Sequence, residues 1–187
     1  MKDRTDAELI QQTLNGDTDA FGELIRRYQD AVYATALHCV GNFADAQDVA
    51  QEAFIEAYKA LPTLQEAAKF PSWLHTITRR QCGRWLRTQR ETVPIDELED
   101  AQMLEISVNS QGHGGTPSRQ LPPDEVLERK ELRDVVLHAI SSLPEKVGEV
   151  VTMFYIDGLS YNEISAFLSV PASTVRGRLQ MGRKQLK

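Results

Sequence analysis

Arg176, Arg178, Arg183 and Lys184 fall in one short stretch near the end of the chain, with Val175, Leu179 and Leu186 before, between and after them. Cations and apolar residues at this spacing suit a helix that turns one side inward and offers the other to a nucleic acid. Arginine pairs bidentately with guanine. Ser173 and Thr174, near the start of that helix, can reach phosphates beside its N-terminus. The element before it opens on a capping pattern, Ser160 with Glu163 three residues on. Ile164, Phe167 and Leu168 share one face, and Ser169-Val170-Pro171 ends the helix because a residue before proline avoids helical geometry. A short apolar helix, a tight turn and a basic helix form a unit that places its second helix in a major groove. A plain helical hairpin with a solvated basic face has the same pattern. Gly177 and Gly182 weigh slightly against a helix, each by about 1 kcal/mol relative to alanine.

A second basic segment interleaves Arg79, Arg80, Arg84, Arg87 and Arg90 with Trp73, His75 and Trp85. Cations that track phosphates and rings that receive unstacked bases suit single-stranded DNA. A core helix with solvated arginines reads the same way. A third set, Asp45, Asp48, Gln51, Glu52 and Glu56, makes one acidic or amide-bearing helix side. It fits either a protein-docking face or a solvated one. His38, His75, His113 and His138 are scattered, and neither His38-Cys39 nor His75 with Cys82 has zinc-ligand spacing. No metal or redox role, no cofactor and no catalytic constellation is expected.

The elements that must position these residues are helical throughout. Thr5 and Glu8 form a capping box ahead of Leu9, Ile10 and Leu14, and Asn15-Gly16 stops that helix. Asp17 or Thr18 caps the next, with Phe21, Leu24, Ile25, Tyr28, Val32, Tyr33 and Leu37 inward until Gly41-Asn42. A third is expected from about Asp45 to Leu61, with Val49, Ala53, Phe54, Ala57 and Tyr58 inside and Pro62 ending it. A loop from Pro62 to Phe70 leads to a fourth, Pro71 to Arg90, with proline in its first turn. Its apolar residues are Trp73, Leu74, Ile77, Trp85 and Leu86. Residues 93–123 read as a linker, because Asn109 to Ser118 is small and polar and Leu121-Pro122-Pro123 closes it. Further helices are expected from Asp124 to Ser142 and from Pro144 to Asp157. The reading is all-α: a domain over 1–92, a flexible acidic linker over 93–123 and a helix-turn-helix domain over 124–187.

The chain of 187 residues carries a net charge of −6, unevenly spread. Residues 70–92 hold +4 and residues 129–187 hold +3, while 93–128 hold −7. Local charge is what a phosphate backbone meets within a Debye length of about 8–10 Å. No run approaches the roughly 18 apolar residues of a membrane span. The first residues lack the apolar core of a signal peptide. Two cysteines give no disulfide framework, and a reduced cytoplasmic protein is expected.

In this order the motifs resemble those of bacterial RNA polymerase sigma factors of the extracytoplasmic-function class. Gly16-Asp17-Thr18-Asp19-Ala20-Phe21 with Tyr28 to Tyr33 resembles the family's opening, and Asp45 to Tyr58 is similar to its most diagnostic run. Phe70-Pro71-Ser72-Trp73-Leu74 resembles the promoter-melting helix. Leu143-Pro144-Glu145-Lys146, Gly158 to Ile164 and Val170 to Arg176 resemble the second domain. The resemblance implies that Asp45, Asp48, Gln51, Glu52 and Glu56 dock on the clamp of the polymerase's largest subunit. It implies that Lys69, Phe70, His75, Arg79, Arg80, Arg84 and Arg87 open and read the element near −10. It further implies that Ser173, Thr174, Arg176, Arg178, Gln180, Arg183 and Lys184 read the element near −35. Core RNA polymerase (clamp and flap), duplex and single-stranded promoter DNA and an anti-sigma factor are the implied partners, without membrane insertion. The corresponding linker threads the polymerase cleft in that family. This chain departs at Arg80 and Arg84, where the family often has asparagine and aspartate, and at Gln180 and Met181. A stand-alone helix-turn-helix regulator and a protein-binding helical adaptor are the competing readings; the arginine-rich helix together with the acidic one favours the sigma factor.

Overall fold

The computed structural model describes residues 4–92 and 135–187, so the expected linker and the start of the helix expected from Asp124 lie outside the described residues. All described regular structure is helical. In chain order it comprises α1 (Asp6–Leu14), α2 (Thr18–Val40), α3 (Phe43–Ala60), two 3₁₀ turns at Leu61–Thr63 and Ala67–Lys69, and α4 (Phe70–Thr92). Helical residues 135–141 then precede α5 (Glu145–Tyr155), α6 (Tyr161–Leu168) and α7 (Ala172–Gln185).

The helix ends follow local chemistry. Thr5 and Glu8 satisfy each other's backbone amides in a capping box, and the Asp17 carboxylate accepts from the amides of Asp19 and Ala20. Gly41, at φ 78°, closes α2 in the left-handed region, its N–H donating to the Leu37 carbonyl. Asn42 caps α3 two residues earlier than the acidic pattern predicts, because its side chain accepts from the Asp45 amide.

α2 is the central helix and packs against α1, α3 and α4. Leu9, Phe21, Leu24, Val32, Leu37, Val49, Phe54, Leu61, Phe70, Leu74 and Ile77 are buried there. Three residues expected inside are exposed: Leu14, Tyr58 and Leu86. Leu14 ends α1, and Leu86 lies on the distal part of α4. In their place Thr13 and Cys82 are buried.

In the second half, α5 packs on α7 and α6 lies against both. Val147, Val150, Val151, Ile164, Phe167, Val175 and Leu179 form its core. Leu186, expected on the inner face of α7, is exposed because α7 ends at Gln185 and the chain leaves the packed face.

The two halves also pack against each other, α5 on α2 and α6 on α4. Tyr28 of α2 stacks on Phe167 of α6 with ring centroids 6.4 Å apart and meets Phe70 edge-on at 5.4 Å, while its hydroxyl donates to the Asp6 carboxylate. His38 lies so close to Gly148 that a Cβ there would approach its ring carbon to 2.4 Å. Fully burying an aromatic of this size contributes about 1.5–3 kcal/mol, so Phe167, almost wholly enclosed, anchors the junction.

Candidate nucleic-acid interface

α4 presents its arginines on more than one face. Arg80, Arg84 and Arg87, spaced four and three apart, are exposed along one side of the helix, where neighbouring turns bring cations together. Arg84 donates to the Gln81 amide at 3.4 Å. Trp73 is half-buried near the start of α4 and tilts over Phe70 at 5.9 Å.

The other expected contacts of this region are placed differently. Phe70 is fully buried against Tyr28. Its ring anchors the incoming loop in the core and has no free face for a base, which corrects its expected role. Lys69 is exposed and pairs with Glu66 at 2.7 Å. His75 points into the junction between the halves, where its Nε2 donates to Glu149 Oε1 at 2.9 Å and its ring meets Phe167 edge-on. Arg79 bridges the same junction, donating to Cys39 Sγ at 3.1 Å and to the Glu145 carboxylate. In this packed arrangement His75 and Arg79 are therefore committed to the second half.

Glu149 is buried between these groups. Burial alone pushes its carboxyl up. The hydrogen bond and charge of His75, aided by Arg79 and His38, outweigh that and hold it below the ordinary value. A buried carboxylate needs such partners, because an unpaired charge in a low-dielectric interior is costly.

The helix-turn-helix is held by its own polar groups. The Ser160–Glu163 capping box starts α6. Ser169 takes the left-handed conformation, φ 52° and ψ 45°, which costs about 1–2 kcal/mol for a residue with a Cβ. The Ser165 hydroxyl donates to the Val170 carbonyl at 2.6 Å, and the Val170 N–H donates back to the Ser165 carbonyl at 3.1 Å. On α7, Val175, Leu179 and Gly182 face inward. A Cβ on Gly182 would meet Val151 Cγ2 at 2.5 Å, so the absence of a side chain is what allows α7 to approach α5.

Outward on α7 stand Ser173, Arg176, Gln180, Arg183 and Lys184, with Thr174 and Arg178 half-exposed. Two tyrosines that the sequence reading did not single out support this face. Arg176 lies 5.9 Å from the Tyr161 ring centroid and Arg183 lies 5.7 Å from that of Tyr155. Arg183 Nε also donates to the Tyr155 hydroxyl at 2.5 Å. Such ring contacts limit the conformations of long cationic side chains.

On α3, Asp48, Gln51 and Glu52 are exposed, and Asp45 and Glu56 are half-exposed. The Asp45 carboxylate accepts from the Asn42 side-chain amide, so it is partly occupied at the cap. Beside this side runs a groove of about 860 Å³ between α2 and α3, lined in part by Ile25, Gln51, Phe54, Ile55 and Tyr58. Ile55 is 38% exposed and Tyr58 43%. The acidic pattern of α3 drew attention away from this apolar strip; its signal is the four-residue spacing from Gln51 to Ile55 and three-residue spacing to Tyr58. Among the described residues no cluster of His, Cys, Asp and Glu is arranged to hold a metal ion, and no helix is long and apolar enough to cross a membrane.

Residues 24–92 match the family described as Sigma-70 region 2, and residues 133–186 that described as Sigma-70, region 4. The chain is 33% identical over 182 residues to the ECF RNA polymerase sigma-E factor of Escherichia coli K12, covering 97% of this chain and 92% of that protein. It is 32% identical over 179 residues to the ECF RNA polymerase sigma factor SigW of Bacillus subtilis, covering 95% and 92%. The solved structure of CnrH in complex with the cytosolic domain of CnrY has the same fold, with TM-score 0.60 at 22% identity over 97% of this chain and 94% of that one. So does the sigma factor RpoE from Bartonella quintana in complex with the anti-sigma factor NepR, with TM-score 0.51 at 19% identity over 89% and 93%. The chain belongs to the extracytoplasmic-function class of the sigma-70 family of RNA polymerase sigma factors.

Proposed function

We propose that this chain is a dissociable specificity subunit that brings core RNA polymerase to particular promoters in the cytoplasm and opens the DNA there. It acts as an initiation factor and not as a catalyst. Three parts, drawn at 1–92, 93–123 and 124–187, divide the work. α3 docks on the clamp of the largest subunit through Asp48, Gln51, Glu52 and Glu56, with Asp45 at its edge and Ile55 and Tyr58 supplying apolar contact. Charged groups at such an interface set register and on-rate, while the apolar strip supplies burial. Arg80, Arg84 and Arg87 follow the backbone of the melted strand near −10, joined by Lys69, and by His75 and Arg79 once the halves separate. α7 reads the −35 element through Arg176, Arg178 and Gln180, with Ser173, Thr174, Arg183 and Lys184 on phosphates. The acidic linker occupies the polymerase's basic cleft, and an anti-sigma factor holds the chain inactive.

The observation that carries this reading is the presence, in one sigma-family chain, of two separate basic exposed helix faces, on α4 and α7, beside an acidic and apolar face on α3. Run-off transcription with purified core polymerase tests it. Transcript is expected only when polymerase and this chain are both present. Promoter binding that is equally tight without polymerase, with no transcript, is the result of a stand-alone regulator.

A further inference from the structure

Cys39 and Cys82 are far apart in sequence, but the packing of α2 on α4 brings both side chains to the wall of one cavity. Cys82 is buried and Cys39 is half-exposed. Both line a cavity of about 330 Å³ whose walls come from the two halves of the chain: His38, Arg79 and Leu86 on one side, Ser141, Leu143 and Glu145 on the other. A water's share of liquid volume is about 30 Å³, so a molecule the size of hydrogen peroxide fits. Arg79 Nη1 points at Cys39 Sγ from 3.1 Å, while its other nitrogen is held by Glu145.

We propose that Cys39 and Cys82 are a hydroperoxide-oxidisable dithiol, in which Cys39 attacks, Cys82 resolves and Arg79 positions the attacking thiolate. The asymmetry of the pair fits these roles. The hydrogen bond from Cys82, opposed by burial and aided by Arg79, holds the Cys39 thiol below its ordinary range. The same hydrogen bond, with burial, pushes Cys82 up. The Cys39 thiolate attacks one peroxide oxygen, the O–O bond breaks, and the departing hydroxide takes a proton to leave as water. Cys39 is then a sulfenic acid. The Cys82 sulfur attacks the Cys39 sulfur, the S–O bond breaks, and the hydroxyl leaves as a second water with the Cys82 proton. Two thiols and one hydrogen peroxide give one disulfide and two waters; the sulfurs lose two electrons, which the peroxide gains. The sulfurs close to a bond of about 2.05 Å.

The test uses the full chain and equimolar hydrogen peroxide, followed by alkylation and mass spectrometry. The expected product has lost the mass of two hydrogens, carries no alkylated cysteine and yields a Cys39–Cys82 linked peptide. Its formation should be about ten-fold faster than in the urea-denatured chain, since a depressed thiol pKa raises the reactive fraction. Cys82→Ser should stop at a Cys39 sulfenic acid that a dimedone-type reagent captures. Arg79→Gln should shift the pH profile of Cys39 alkylation upward. Two thiols that stay alkylatable after peroxide, only intermolecular disulfides, or a rate no faster than in the denatured chain overturn the dithiol. An unmoved pH profile in Arg79→Gln overturns its positioning role.

Discussion

His75 and Glu149 meet at 2.9 Å across the junction between the two halves, joining α4 to the buried side of α5. Neither residue has an equivalent partner on its own helix turn. Truncating His75 leaves the Glu149 carboxylate buried beside Arg79 and His38 without its hydrogen bond. Breaking a buried pair in this way costs about 3–5 kcal/mol. His75→Ala should therefore lower the denaturation midpoint clearly, and adding Glu149→Gln should recover part of the loss. A midpoint unchanged in the single variant would mean that the halves do not pack this way in solution.

Gly148→Ala is expected to open the junction without altering a charged group. Its methyl would lie 2.4 Å from His38 Cε1 and 3.2 Å from the Ile140 carbonyl, squeezed from two sides. Overpacking of this kind costs about 1–3 kcal/mol. Small-angle scattering should show a larger radius of gyration with helicity retained, and free-protein binding to a promoter fragment should rise as His75 and Arg79 are released. Unchanged scattering would show that the ring gives way instead.

Two groups at the junction set opposite pH trends. Burial, with the charge of Asp30, pushes the Asp157 carboxyl up to about 7 from 3.8. A raised carboxyl favours the folded form fully below the unfolded value, and that contribution is lost as pH rises through about 7. His38 is pushed down by burial, against the pull of Glu149. Its contribution is full above about 6.5 and lost as pH falls below it. Asp157 therefore withdraws stability progressively between about pH 4 and 7 and has no further effect above that, while His38 opposes this trend just below pH 6.5. Asp157→Asn should remove that loss, so its melting temperature should gain on the wild type from about pH 4 to 7 and run parallel to it above; a difference that keeps growing above pH 7 would assign the trend to another group.

Asp48→Lys with Glu52→Lys should weaken capture of core polymerase by about ten-fold or more, since like-charge contacts at an interface cost several kcal/mol. Ile55→Ser should weaken it as well, through lost apolar burial, with circular dichroism unaltered in both. Co-purification at wild-type levels would remove α3 from the docking surface.

Arg176→Ala separates two kinds of DNA contact. A lost bidentate base contact costs about 1–3 kcal/mol and relaxes preference at one −35 position. A lost phosphate contact weakens all sequences alike and reduces the salt slope by about one unit. Transcription on a panel of −35 variants at several salt concentrations distinguishes them. A pre-opened bubble template should restore activity, because the proposed reading gives melting to α4; no rescue would mean that the halves do not divide the work.

What could be read from the sequence was local. The capping boxes at Thr5–Glu8 and Ser160–Glu163 close over three residues, so the sequence states both partners together. The order of helices followed from the same short-range periodicity. Phe70 and Tyr58 went to the wrong side, because each sits at a helix end where a proline or a 3₁₀ turn rotates the face away from ideal spacing. Gly182 counted against a helix on propensity, and only its distance to Val151 explains it. His75 with Glu149, and Cys39 with Cys82, are long-range pairs created by packing. Nothing at either position announces the other.

Ser165, Val175, Leu179 and Gly182 fix the angle of α7 from its buried side. The outward positions Ser173, Gln180 and Lys184 are exposed and take no part in that packing. On the proposed reading, substitutions there alter which sequence is preferred while the scaffold stays the same. Promoter choice on that reading is separable from foldability, and a lineage could rewire the genes it controls one outward residue at a time.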